Sequence, residues 1–212
     1  MKVRTTTDLL TTIDSDLSWR KKELRYLANR INGAESESQL CYVRAAVALL
    51  YAHWEGFVLI ALRAYIAFVS SQRIVFDKLK PELRAAILKT EVRRLEKEPG
   101  GAARAHLFRA YEREIGKIHK FTGDAIIVAE SNLNSARFLG LIAAVGLNES
   151  EFNSASKFLD EALLSKRNSV CHGERLMVDR AGYLSTEVQV IALTEQLKTA
   201  IVNAASTRAY KI

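Results

Sequence analysis

Apolar residues recur near the start of the chain at three- and four-residue spacing: Leu9, Leu10, Ile13, Leu17, Leu24, Leu27 and Ile31. That spacing gathers them on one face of a helix, predicted over residues 4 to 31. The polar stretch INGAES interrupts the pattern. From about Glu37 to Gln72 apolar positions become dense enough to cover most faces of a second helix. A helix of that length runs on the order of 50 Å, and one that is apolar on most sides belongs at the centre of a fold.

The pattern turns polar between residues 73 and 123. Pro81 suits the first turn of a helix, PELRAAILKTEVRRLEKE, which EPGGA ends. A charged helix over residues 102 to 120 follows and stops near KFTGD. These two helices are expected to form a peripheral insertion on a smaller helical core, one whose deletion leaves that core folded. The short β-branched run AIIVAE (125 to 130) is a candidate extended segment. SNLNSARFLGLIAAVG then starts and stops a helix, with Asn134 as its cap, Leu133 and Phe138 as a staple and Gly146 as its close. A further helix is predicted from NESEF through FLDEALLSKRNSVCH, ending at Gly173, and a last one over about 185 to 206. There is no internal repeat and no low-complexity tract. The expected fold is an all-α bundle in one domain, residues 1 to 212.

Composition agrees with this and narrows the surroundings. Two Pro and ten Gly interrupt few elements in 212 residues, and 26% charged residues is ordinary for a globular chain. The region from 42 to 70 carries Arg44, His53, Glu55 and Arg63, charges too frequent for a membrane span. Cys41 and Cys171 stand far apart and fit a reducing compartment. No signal-peptide pattern opens the chain, so a cytoplasmic protein is expected. The net charge of +7 permits a polyanionic partner such as RNA, although no Lys/Arg run marks a basic tail.

Candidate chemistry concentrates in SKRNSVCHGERL, residues 165 to 176. Asn168 and His172 are four apart and share a helix face. Arg167 lies round the cylinder, with a side chain long enough to reach back. Two readings stay open on spacing alone. Cationic side chains in a last helical turn complement the backbone dipole, and Gly173 completes a cap. Alternatively, an imidazole that exchanges protons near neutrality, beside a guanidinium that matches phosphate, is the minimum for metal-free RNA cleavage. Other candidates are weaker. His53 and Glu55 are two apart and make a poor metal pair, His106 and His119 fall in the charged insertion and are expected to be solvated, and no Gly-rich phosphate loop is present.

RNSVCHG resembles the R-N-x-x-x-H-G signature of HEPN domains, all-helical domains of bacterial toxin and defence systems. YAHWEGFV (51 to 58) resembles the second-helix motif of one bacterial branch of that family, and SNLNS (131 to 135) its mid-region. The resemblance covers most of the chain outside 73 to 123. Cys171 departs from it, where a small residue such as Ala is expected; Cys is itself a small, commonly buried type.

The resemblance implies a HEPN-like bundle that pairs as a homodimer through the motif-bearing helix. It also implies a metal-independent endoribonuclease, acting as toxin or effector in a toxin–antitoxin or phage-defence system. Arg167 and His172 would be catalytic, and Asn168 would orient or contact phosphate. Glu55 is a weaker supporting candidate: a lone carboxylate in the apolar segment HWEGF needs a partner, either Arg167, which would put it at the site, or a purely structural arginine such as Arg44 or Arg63. No cofactor, metal or membrane is implied. RNA and an antitoxin or regulatory protein are the implied partners. The alternative is a HEPN module that binds nucleotide or protein without cutting.

Overall fold

The computed structural model describes residues 2–127, 132–175 and 177–212. Its regular elements are helical, with two isolated bridge pairs, Val75–Ile118 and Leu79–Lys211, among the described residues. The helices are α1 (Thr6–Asn32), α2 (Ser36–Ser71), α3 (Pro81–Ile87), α4 (Lys89–Lys97), α5 (Gly101–Glu114), α6 (Gly123–Ile126), α7 (Ser135–Ala144), α8 (Ser165–Cys171) and α9 (Arg180–Ser206).

Thr5 starts α1 with a reciprocal cap. Its side chain accepts from the Asp8 N–H, and the Asp8 carboxylate accepts from the Thr5 N–H. The stripe Leu9, Ile13, Leu17, Leu24 and Ile31 is buried against α2. By length and composition α2 could cross a membrane. In this fold it is the central rod, packed by α1, α8 and α9, with Trp54, Phe57 and Tyr65 fully buried. Ala46, Ala61 and Ala64 are buried with them. One polar pin ties α1 to α2. Arg20, only 7% exposed, donates from Nε to Asp16 Oδ2 at 2.7 Å and from Nη1 to the His53 carbonyl at 3.3 Å. Gly56 makes room for it, since a Cβ there would stand 2.8 Å from the Arg20 guanidinium.

The segment 73 to 123 is less uniform than its polarity suggests. Leu79 and Leu83 belong to the main core, and the Lys80 N–H donates to the Tyr210 carbonyl at 3.0 Å. Ile74 and Phe121 also pack on the main core, while Phe76, Leu88 and Ala110 form a small second core with Leu107 and Tyr111 against it. The helix predicted over PELRAAILKTEVRRLEKE is divided at Leu88 (ψ 18°), which is buried in that second core. The charged helix expected to 120 stops at Glu114, and Gly116 turns the chain at φ +76°. This segment holds 13 Lys and Arg against 7 Asp and Glu, so it carries +6 of the chain's +7.

In AIIVAE, Ala125 and Ile126 complete α6 and Ile127 is extended, while 128 to 130 lie outside the described residues. Asn134 caps α7, accepting from the Arg137 N–H at 2.9 Å, and Leu133 and Phe138 are both buried. The helix expected from NESEF to His172 is three pieces. Residues 149–155 form a 3₁₀ helix, 158–164 are π-helical, and α8 follows without a break. The Ser165 N–H reaches back five residues to the Asp160 carbonyl, which defines the wider turn. Asp179 caps α9 through the Gly182 N–H at 2.8 Å, so α9 starts at Arg180, before the predicted 185.

Candidate functional site

α8 carries Arg167, Asn168 and His172 past the N-terminal half of α2 and the loop that enters α7. The half-buried Arg167 is held on three sides. Its guanidinium carbon stands 4.0 Å from the centroid of the Tyr51 ring, on α2. Its Nη1 donates to Asn168 Oδ1 at 2.9 Å, and its Nη2 donates to Asn132 Oδ1 at 2.6 Å. Two of five N–H donors therefore go to asparagine side chains, which leaves donors for an anion. The guanidinium lies over an aromatic face, is steered by two neutral amides, and pairs with no carboxylate among the described residues.

Glu55 stands one layer back. It accepts from the Tyr51 hydroxyl at 3.1 Å and from the Leu133 N–H at 3.1 Å. The Leu133 N–H is shared with the Tyr51 oxygen. Glu55 thus contacts Tyr51, whose ring lies under Arg167, and makes no direct pair with Arg167 among the described residues. The two alternatives are engaged elsewhere: Arg44 donates to the Glu174 carbonyl at 2.5 Å, and Arg63 pairs with Asp124 at 2.8 Å. Burial first, and the Glu55 charge second, push the Tyr51 hydroxyl above its usual range, so it stays protonated and donates to Glu55. The loop under Arg167 is tightly held. Asn132 has φ +67°, its carbonyl accepts from the Asn134 N–H, and Asp160 accepts from the Ser135 N–H at 2.7 Å and hydroxyl at 2.6 Å. Asp160 lies in the π-helical turn just before α8, so one element both carries Arg167 and anchors the loop that holds it.

His172 is the C-cap of α8. Its N–H bonds to the Asn168 carbonyl at 2.9 Å, and Gly173 closes the end at φ +76°, a backbone region that suits glycine. Its ring is exposed and makes no hydrogen bond among the described residues. Arg167, Asn168, Tyr51 and Asn132 come together, with Glu55 behind them; the ring of His172 hydrogen-bonds to none of them among the described residues. Cys171 is exposed, not buried as its type suggested, because it lies on the outer side of the last turn beside His172.

The remaining candidates have structural partners. His53 is buried, lies 2.8 Å from Glu23 across the α1–α2 contact, and meets Trp19 edge to face. His119 is not solvated as expected; it is half-buried, 3.1 Å from Glu114 and edge-on to Phe76. The reading from sequence missed Tyr51 and Asn132 as site residues. For Tyr51 a signal was present, since it is one helical turn before Glu55; for Asn132 the sequence offered only a residue type that tolerates positive φ, which does not mark a site.

A family model of HEPN-like domains matches residues 9–210 of the chain. Searches of curated proteins and of solved structures found no match.

Proposed function

The chain belongs to the HEPN family, and from that premise we propose that it is a metal-independent endoribonuclease. Domains of this family serve as ribonucleases or as nucleotide-binding modules. The observation that carries the catalytic reading is the state of Arg167: charged, ring-stacked, fixed by two asparagines and with donors to spare. A pure helix cap needs none of that support. The exposed His172 on the same short helix supplies the proton-transfer group.

In this reading the ribose 2′-oxygen attacks the adjacent phosphorus while an imidazole takes its proton. The P–O5′ bond breaks, and a second imidazole returns a proton to the leaving oxygen. The guanidinium neutralises charge on the phosphoryl oxygens. The products are a 2′,3′-cyclic phosphate and a 5′-hydroxyl, with no water consumed. Two imidazoles call for two copies of the chain, paired by a two-fold axis near α8. The setting we propose is cytoplasmic, as a toxin or effector whose partners are RNA and a silencing protein.

The test is cleavage of RNA in excess chelator, with a DNA control. His172→Ala should lower the rate by roughly 10²- to 10⁴-fold, and Arg167→Ala by roughly 10²- to 10³-fold. Mixing His172→Ala chains with unaltered chains under exchange conditions should lower activity by more than dilution does, since a mixed pair keeps only one of the two imidazoles. Cleavage that survives in His172→Ala, or that vanishes with chelator, overturns the reading. Well-folded protein that binds nucleotide but never cuts would give the site to the binding-module alternative.

A further inference from the structure

The second small core leaves one face uncovered. α4 buries none of its nine residues. Between α3–α4 and α5 runs a groove of about 320 Å³, walled by Leu88, Val92, Leu107, Phe108 and Tyr111. Phe108 forms its lip and is 70% exposed. Arg84 also lines the groove; its Nη1 donates to the Tyr111 hydroxyl at 2.5 Å, and its buried Nε has no hydrogen-bond partner. An apolar groove that contains an incompletely satisfied guanidinium lies in the segment that holds +6 of the molecule's +7.

We propose that this groove docks an acidic amphipathic helix of a partner protein. Its apolar side would fill the wall between Leu88 and Phe108, and its carboxylates would meet Arg84 and the exposed Arg93 and Arg104. Helical spacing sets Arg104 one turn before Phe108 on the same row. Three observations select this occupant. A second copy would bring one +6 surface against another. Single strands stack their bases on successive exposed aromatic faces, and in this groove Phe108 is exposed while Tyr111 is half-buried edge-on to Phe76. The groove is also remote from α8, because α7 meets α3 through its C-terminal end, where Gly146 accepts from Lys80 at 2.8 Å, and meets Arg167 only through the loop at its start. The ten residues of α7 put about 15 Å between those ends, beyond the roughly 8 Å screening length at physiological salt.

The probe is a fluorescein-labelled synthetic helix of about 18 residues, with Leu at i, i+3, i+4 and i+7 and Glu on its flanks. A counterpart with Lys in place of Glu and a single-stranded RNA oligonucleotide serve as comparisons. Fluorescence anisotropy on the full-length chain should show the acidic helix bound and the basic one not. Phe108→Glu and Arg104→Glu, both at exposed positions, should each weaken binding by tenfold or more and leave RNA affinity unchanged. The proposal fails if the acidic helix does not bind at about 100 µM, if both helices bind alike, or if neither substitution matters. It also fails if RNA competes for the groove or loses affinity in Phe108→Glu. None of these readouts uses cleavage, so failure here leaves the Arg167–His172 reading standing, and the reverse holds.

Discussion

The ring and the hydroxyl of Tyr51 serve different partners, so two substitutions separate them. Tyr51→Phe keeps the ring under Arg167 and removes the hydroxyl's bonds with Glu55 and the Leu133 N–H, which still bond each other, at a cost of about 0.5 to 1.5 kcal/mol in stability. Cleavage should be largely retained. Tyr51→Leu removes the aromatic face as well and should cut the rate roughly a further tenfold, in line with the ~1 kcal/mol scale of such contacts. Equal rates for the two variants would remove Tyr51 from the account. His53 makes a second prediction, on pH. Burial holds its folded pKa below the ordinary 6.5, with Glu23 opposing and Arg20 adding to the shift. As pH falls through that value the unfolded chain takes up a proton that the folded chain does not, so stability declines from neutrality toward pH 5. Urea midpoints should fall over that window, and less steeply in His53→Gln; an unchanged slope would count against it. Arg167 and Asn168 were legible from the motif, whereas Asn132 was not. Its role depends on a backbone turn that brings together positions 35 residues apart, and no local spacing encodes that.

Periodicity located α1, α2 and α7 to within a residue or two, because α1 has one apolar face and a capping box, α7 has its Asn134 cap, and α2 is a long apolar run bounded by polar stretches. It failed where helices change character without changing pattern. Leu88 fits a continuous helix in sequence, yet a second core diverts it. The π-helical turn at 158–164 keeps its apolar residues at spacings that an α-helix also uses, so nothing in the sequence marked it. That turn sets the rotation of α8 relative to Asp160. Deleting Ala162 would convert it to an ordinary turn and rotate one side against the other by about 100°. Either Asp160 then leaves Ser135 or Arg167 leaves Tyr51. Circular dichroism should show helix content kept while cleavage is lost, and a fully active deletion variant would mean that the turn carries no positional information.

For the whole molecule, the division between core and periphery falls inside the segment that polarity alone marked as inserted. Replacing residues 89 to 118 with a short linker spares Leu79 and Leu83 and should leave a cooperative thermal transition. Replacing 73 to 123 removes both, at about 2 to 5 kcal/mol for each buried leucine side chain truncated, and should abolish the transition. Matching behaviour of the two deletions would place the boundary elsewhere. The charge partition has a practical consequence. Outside 73 to 123 the chain holds 18 basic and 17 acidic residues, so its high isoelectric point, near 9.5, belongs to one end of the molecule. A cation-exchange bead, or any anionic support, would grip the protein by α4 and α5 and orient it. Tyr51 stands about 30 Å along α2 from Gln72, where that end begins. The immobilised protein would therefore present its Arg167 face to the mobile phase, ready for oligonucleotides to be passed over it.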